Sequence, residues 1–473
     1  MSMPALSTDL LVIGGGVGGY TAAIRAARSG LKVMLIEAGE LGGTCLNRGC
    51  IPTKSLLQQG HDFRRAQGMR AFGIEPGSLR LNFAAVRQQK DQVVAQLVQG
   101  VRSLVRKNRI ELLSGMAELE DAHTARIRGG DQRMNFKRLL IATGSEPAGL
   151  AVPGVNLPGV INSDQALELT ELPASVLILG GGVIGLEFAQ IYSDFGVAVT
   201  VVESQASLIA QEDPDIVAVL QQALVRQGVV FQLGASATAI QAQGRQLQVK
   251  LKIGSKAQVL TADQVLVAVG RRPLSRGLGL ERVGVKLEGQ AVLVDDVCRT
   301  DVAHIYAVGD VCGGPMLAHR AGAQAEVAVA HMLGQVRSQQ ALVIPRAVYT
   351  SPEIATVGLT ETQARAQGLK LKVGRFPFAA SGKALAMGQA QGFVKVIADA
   401  QTEQVLGVGM VGPEVTQLLG EATLAVQMEL TLPALMQTVH AHPTLTEALM
   451  EAAHDAHDGA AIHLPPILQP QAA

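Results

Sequence analysis

The sequence predicts an α/β protein that contains two nucleotide-binding units of the same plan, and three observations carry that reading. An apolar run from Asp9 to Ile13 enters the turn Gly14-Gly15-Gly16-Val17-Gly18-Gly19, an Ala-rich stretch with a helical pattern follows from Tyr20 to Arg28, and a second apolar run from Lys32 to Ile36 ends on Glu37. The plan returns as Ser175 to Leu179, then Gly180-Gly181-Gly182-Val183-Ile184-Gly185, a helical stretch to Phe195, and the run Val197 to Glu203, with 23 positions from first glycine to acid in both copies. Between the copies, the segment Gly42 to Lys54 holds Cys45 and Cys50 with four residues between them.

Each part of the repeated unit has a physical task. Gly14 permits a tight turn, Gly16 lets the backbone approach a pyrophosphate at the helix N-terminus, and Gly19 lets the helix pack closely on its strand. Glu37 is placed to accept hydrogen bonds from a ribose. Gly180, Gly182, Gly185 and Glu203 repeat these tasks. A lone glycine turn is a weak sign, but the complete unit twice over implies two Rossmann-like dinucleotide-binding domains. Glu203 would bond the 2′-hydroxyl of NAD and repel the 2′-phosphate of NADP, with no Arg at or just after it, so NAD is expected. Ile141-Ala142-Thr143-Gly144-Ser145 and Val267 to Pro273 are similar strand-to-turn segments at corresponding places, the exits of the two units. A later strand from Ile305 ends at Gly309-Asp310; Asp310 could bind the polyol chain of a cofactor or simply close a turn.

Composition bounds the function. A chain of 473 residues implies about three domains. Lys+Arg and Asp+Glu both number 40, which gives no electrostatic case for nucleic acid or an anionic membrane. Hydrophobic residues make up 48%, enough for large cores, and 52 glycines indicate many tight turns. Only 4 cysteines occur, too few for the disulfide framework of a small secreted domain. Met1 to Asp9 lacks the basic and apolar regions of a secretory signal, and no charge-free apolar run reaches membrane-spanning length. The expectation is a soluble, cytoplasmic protein in a reducing compartment.

The thiols are the most informative feature. Cys45 and Cys50 are expected to flank a turn into a helix that begins near Pro52, which would place both sulfurs at a helix N-terminus, where the dipole favours thiolate. Disulfide exchange needs an attacking thiolate and a second thiol close by. Arg48, between them, could raise the local positive potential or be merely solvated. A dithiol substrate must also lose protons, so a base near neutral pH is needed. His442 is the candidate, with Glu447 orienting its ring. His440 and His442 stand two apart, but no third ligand is evident, so no metal is expected. Cys298 and Cys312 read as structural thiols.

Assembled, these residues resemble the pyridine nucleotide-disulfide oxidoreductases over nearly the whole chain, from Asp9 to about Glu447. The most specific marks are Gly42-Gly43-Thr44-Cys45-Leu46-Asn47-Arg48-Gly49-Cys50-Ile51-Pro52 and His440-Ala441-His442-Pro443-Thr444-Leu445-Thr446-Glu447. Within the family, the members that oxidise dihydrolipoyl groups in 2-oxo acid dehydrogenase complexes are the most similar. Val17 where a proline is usual, Arg48 in the variable slot and Thr53 in place of the common serine are departures, and none removes a reacting group.

The resemblance implies FAD in the first unit, held by Gly14, Gly16, Gly19, Glu37, Thr44, Lys54, Ala117, Thr143, Gly144, Asp310 and Ala318. It implies NAD in the second, near Gly180, Gly182, Ile184, Gly185, Glu187, Glu203 and Gly270. Cys45 would be the interchange thiol and Cys50 the one against the flavin, with Lys54 paired to Glu187. His442 and Glu447 would come from the partner subunit of a homodimer. The implied architecture is an FAD-binding domain over 1–149, an NAD-binding domain over 150–270, a central segment over 271–344 returning to the FAD side, and an α+β dimerisation domain over 345–473. The implied activity is oxidation of protein-bound dihydrolipoyl groups with reduction of NAD, and the implied partners are lipoyl domains and the acyltransferase core of such a complex. A glutathione reductase-like or mercuric reductase-like enzyme is the alternative within the family. A structural subunit of a multienzyme complex is the alternative outside it.

Overall fold

The computed structural model describes residues 5–462; the tail from Ile462, which the sequence, rich in proline and without charge, marks as a loosely attached arm, lies after that residue outside the described residues. The chain opens with β1 (Leu6–Ile13), α1 (Val17–Arg28), β2 (Val33–Glu37), α2 (Gly43–Arg48), α3 (Cys50–Gln67) and α4 (Phe83–Lys107), followed by β3 (Glu111–Ser114), β4 (Ala117–Leu119), β5 (Thr124–Ile127), β6 (Arg133–Ile141) and β7 (Ser145–Pro147). A second run contains β8 (Val160–Asn162), α5 (Ser163–Ala166), β9 (Ser175–Leu179), α6 (Val183–Asp194), β10 (Ala198–Glu203), α7 (Pro214–Arg226) and β11 (Val230–Leu233). It continues through the meander β12 (Ala235–Gln243), β13 (Gln246–Ile253) and β14 (Lys256–Ala262) to β15 (Gln264–Val267) and β16 (Arg271–Pro273).

Two short strands, β17 (Leu287–Glu288) and β18 (Ala291–Val292), lead to β19 (Ile305–Ala307) and α8 (Ala318–Met332). The last run is β20 (Arg346–Val348), β21 (Glu353–Gly358), α9 (Glu361–Ala366), β22 (Leu371–Pro377), α10 (Gly382–Ala386), β23 (Phe393–Asp399), β24 (Val405–Gly412), α11 (Val415–Gln427), α12 (Leu432–Gln437) and α13 (Glu447–Asp458).

The first sheet has the order β3-β2-β1-β6-β5-β4, with β19 joining the C-terminal half of β6 in parallel, so the chain returns to this sheet after leaving it. The second sheet, β11-β10-β9-β15-β8, is parallel throughout. The antiparallel pair β7 and β16 ties the exits of the two units together. The last sheet, β20-β21-β24-β23-β22, is antiparallel.

Covered parallel strands need apolar residues on both faces. In β1, Leu10 and Val12 enter one core with Ala22, Ala26 and Ala328, whereas Leu11 and Ile13 enter the opposite core with Met134 and Ile305. In β9, Val176 and Ile178 pack towards α6, and Leu177 and Leu179 towards the meander. Each fully buried leucine of this kind contributes about 1.5–3 kcal/mol. The strands of the last sheet cover a separate core with α11 and α13 through Val394, Val396, Met410, Leu418 and Leu449.

Candidate active site

Both glycine turns have the geometry that the sequence implied. Gly14 has φ +103° and donates its amide to the Ile36 carbonyl at 2.8 Å, bending the chain from β1 to α1. A side-chain carbon at Gly19 would collide with the Gly14 carbonyl, so only glycine lets the helix sit this close. Gly180 and Gly185 stand in the same relation in the second unit. Glu37 Oε2 accepts the Gly15 amide at 2.5 Å and its Oε1 the Gly39 amide at 2.7 Å. Glu203 matches it, with Oε2 on the Gly181 amide and Oε1 on the Gln205 amide, both at 2.7 Å.

These cradles suit dinucleotides. Neither α1 nor α6 has a side-chain cap or an acid in its first turn, so their N-terminal amides keep their positive end for an anion. A side-chain carbon on Gly16 would meet only Gly43 Cα, at 3.8 Å, and one on Gly182 would meet nothing within 4 Å, so the backbone is open to a ligand at both places. Helix α8, packed on α1, begins at Ala318 with neither cap nor acid and adds a third free N-terminus. Ile184 lies in the first turn of α6, and Gly270, at φ +119°, precedes β16. Ala117 turns its side chain into the sheet core; its neighbour Gly115, which the sequence reading did not select, donates its amide to the Glu37 carbonyl at 2.9 Å.

The dithiol segment departs from expectation. Cys45 is the third residue of the short helix α2, and Cys50 is itself the first residue of α3, two residues before Pro52. The break between them is at Gly49, with φ −146° and ψ −109°, while Asn47 Nδ2 donates to the Leu41 and Gly43 carbonyls and ties α2 down. Each cysteine therefore lies in the first turn of its own helix, and only the start of α3, earlier than expected, differs from the sequence reading. Cys50 is lowered to about 7, first by the hydrogen bond from Cys45 and then, against burial, by Lys54. Cys45 is raised, first because its thiol donates a hydrogen bond to Cys50 and then because of burial.

The cation acting on the pair is Lys54. It lies four residues past Cys50, on the same face of α3. Its Nζ is 2.8 Å from both oxygens of Glu187 on α6, a buried carboxylate that also accepts the Tyr349 amide at 3.1 Å. Arg48 is exposed, with its guanidinium beside Gly39.

A second cluster was invisible in the sequence. Half-buried Arg271 donates from Nε to Ser145 Oγ at 2.8 Å and from Nη2 to the Ser145 carbonyl at 2.9 Å and to Thr44 Oγ1 at 3.5 Å; Ser145 Oγ in turn donates to Asp310 Oδ2 at 2.6 Å. It joins the exits of both units to Asp310 and to the residue before Cys45. Thr143 Oγ1 and the Gly144 carbonyl are held by Leu274, at 2.6 and 2.9 Å. The exit pairing was legible; that an arginine would reach across it was not, because its partners are 126 residues away or more.

His442 and Glu447 meet as expected, with Nδ1 2.9 Å from Oε1. Burial pushes the Glu447 carboxyl up, but the Thr444 amide and His442 more than reverse this and hold it below the usual range. The His442 ring is 76% exposed, and among the described residues no hydrogen bond or ion pair joins it to Cys45 or Cys50 of the same chain. His440 lies between the Thr438 carbonyl and Glu421, at 2.8 and 2.9 Å, and anchors the loop. Cys298 and Cys312 fit their structural reading: burial raises both thiols, Cys312 to about 12.

Comparison with known proteins places this geometry. The family profile described as pyridine nucleotide-disulphide oxidoreductase matches residues 8–325, and the dimerisation domain of the same family matches residues 344–453. The chain is 40% identical to a dihydrolipoyl dehydrogenase of Bacillus subtilis, over 97% of this chain and 100% of that protein. It is 41% identical to dihydrolipoyl dehydrogenase 3 of Pseudomonas aeruginosa, over 95% and 98%. Among solved structures, the HOCl-induced flavoprotein disulfide reductase RclA of Escherichia coli, as its Cu(II) complex, superposes with a TM-score of 0.87 at 30% identity, covering 96% of this chain and 99% of that one. Among the described residues no helix is long and apolar enough to cross a membrane.

Proposed function

We propose that this chain, which belongs to the pyridine nucleotide-disulphide oxidoreductase family, is a dihydrolipoyl dehydrogenase that uses Cys45 and Cys50 as its exchanging pair. The observation that carries the reading is the placement of Cys50 at the N-terminus of α3, just after Cys45 on α2 and one turn before Lys54, which is paired across to Glu187 on the helix of the second nucleotide cradle.

In this reading FAD lies along the first cradle, held by Glu37, the α1 and α8 N-termini, Lys54 and Asp310, and NAD lies along the second, held by Glu203 and the α6 N-terminus. A substrate thiolate attacks Cys45 of the Cys45–Cys50 disulfide, forming a mixed disulfide and releasing Cys50 as a thiolate. The second substrate thiol then attacks the substrate sulfur of that mixed disulfide, closing the lipoyl ring and freeing Cys45. His442 of the partner subunit takes the protons these thiols lose, and Glu447 holds its ring and stabilises the imidazolium. The substrate loses two electrons and the cysteine pair gains them. The bound flavin and nicotinamide supply the two-electron transfer that returns the pair to a disulfide. Lys54 and the α3 N-terminus stabilise Cys50 as leaving thiolate throughout.

The dimerisation domain supports a homodimer, and exposure of His442 in the single chain suits a residue that completes the partner's site. Lipoyl domains carried by an acyltransferase core, in the cytoplasm, are the proposed physiological partners. The test is NADH formation by the FAD-loaded protein given NAD and dihydrolipoamide, with NADP and with glutathione in parallel. Turnover confined to NAD and dihydrolipoamide is expected; turnover only with another thiol, or none, overturns the reading.

A further inference from the structure

The lysine that acts on the dithiol is held by more than its carboxylate. Lys54 Nζ lies 4.6 Å from the centroid of the Tyr349 ring, a cation–π contact, and Glu187 Oε1 accepts the Tyr349 backbone amide. Tyr349 directly follows β20, a strand of the last sheet, so one residue of the C-terminal unit touches both members of a pair built from α3 and α6. Lys54 is 30% exposed on its side chain, whereas Glu187 is 4% exposed, so the ammonium is the more accessible member and the Tyr349 ring lies against it. An ammonium on a flexible four-carbon stem acts on a neighbouring sulfur only while it is kept over it.

We propose that Tyr349 is a positioning residue, whose ring keeps Lys54 over Cys50 and whose amide fixes Glu187, so that the seating of the C-terminal sheet sets the charge beside the dithiol. This deepens the dithiol reading and rests on it. The amide belongs to the backbone and survives any substitution, so the side chain's share is that of the ring face alone. The phenolic hydroxyl has no part in the contact. The titratable and charged groups near Cys50 are Cys45 on α2, Lys54 on its own helix, Glu187 on α6, Tyr20 on α1, Arg271 after β15, and Tyr349. Of these, Tyr349 is the one supplied by the C-terminal unit.

The test uses the FAD-loaded dimer reduced with dithiothreitol, and follows alkylation of Cys50 by iodoacetamide against pH, read by mass spectrometry of its peptide. Tyr349→Leu should raise the midpoint by about half a pH unit, the worth of a partly exposed cation–π contact. Tyr349→Phe, which keeps the ring, should restore the wild-type midpoint. In a Lys54→Met background, Tyr349→Leu should add no shift. An unchanged midpoint in Tyr349→Leu, an equal rise in Tyr349→Phe, or a shift that persists without Lys54 would each overturn the proposal. Wild-type turnover with dihydrolipoamide and NAD, measured alongside, tests the dithiol reading on its own, so the two failures are distinguishable.

Discussion

Glu447 holds His442 with one oxygen, Oε1 to Nδ1 at 2.9 Å, and uses the other to accept the Thr444 amide at 2.7 Å, so the ring is fixed from a carboxylate that is itself fixed. Nδ1 is thereby committed as a donor and Nε2 is left bare to accept a proton. His442→Gln should lower dihydrolipoamide-dependent NAD reduction by about 100-fold or more, the usual worth of a general base. Glu447→Gln should cost about tenfold or more, as loss of a charge-assisted hydrogen bond implies. Steady-state kinetics of both variants decide this, and a fall in Glu447→Gln with no change in His442→Gln would reject the pairing as catalytic.

The unequal thiols give a second expectation. Cys50→Ser should keep FAD bound and lose dithiol-dependent NAD reduction, and so should Cys45→Ser. In the reduced protein, however, Cys45→Ala, which removes the hydrogen-bond donor, should leave Cys50 a weaker thiolate, because the hydrogen bond from Cys45 is its first stabilising influence. Titrating alkylation of Cys50 in Cys45→Ala measures this directly, and an unshifted midpoint would contradict that hydrogen bond.

Glu203 accepts the Gly181 and Gln205 amides and the Ser204 hydroxyl, which fix its carboxylate beside the second glycine turn. Glu203→Ala should reduce the preference for NAD over NADP by about tenfold or more, since both an acceptor and a repulsive charge are lost. The ratio of kcat/KM for the two nucleotides reads it, and an unaltered ratio would remove the ribose role.

Arg271, half-buried, donates to the Ser145 hydroxyl and carbonyl and to Thr44, so removing it leaves these acceptors without their charged donor around the first cradle. Arg271→Met should weaken flavin retention by roughly tenfold to a hundredfold, the cost of orphaning hydrogen bonds to a charged group. Flavin absorbance after gel filtration provides the measurement, with full occupancy in the variant as the contrary result.

Lys395, 1% exposed on β23, joins Asp213 at 2.8 Å and Asp215 at 2.9 Å, seating the last sheet on the N-terminus of α7. Burial pushes the Asp213 carboxyl up, but Lys395, the Thr362 hydroxyl and the amides of Thr362 and Glu361 more than reverse it and hold it at about 2. A depressed carboxyl stabilises the fold fully above its unfolded value near 4 and loses that contribution as pH falls from about 4 to about 2, on the order of 2 kcal/mol. Melting temperature should therefore drop across that window in the wild type, and Lys395→Met should flatten the drop while lowering stability at neutral pH. A parallel acid drop in both proteins would assign it elsewhere.

Local chemistry was legible in the chain. The turns at Gly14 and Gly180 announce themselves because a strand that must reverse into a helix admits few residues, and the acids at Glu37 and Glu203 lie at a spacing set by one helix and one strand. His442 and Glu447 are five residues apart, and the loop that joins them lies in one stretch of sequence. The helix boundary at Cys50 was missed because Pro52 marks a plausible start on its own, while the actual break at Gly49 depends on how α2 is tied to Leu41 and Gly43.

The sequence by itself determined the two glycine turns with their acids, the cysteine pair, the His442–Glu447 pair and the family to which they belong, because each is written within a few tens of residues. Only the tertiary structure decided which charged groups surround the cysteine pair. Lys54 meets Glu187 across 133 residues, Tyr349 reaches Glu187 across 162, and Arg271 reaches Ser145 across 126. Charge at a buried sulfur is set by the distances to such groups, and those distances exist only once separate sheets have packed together.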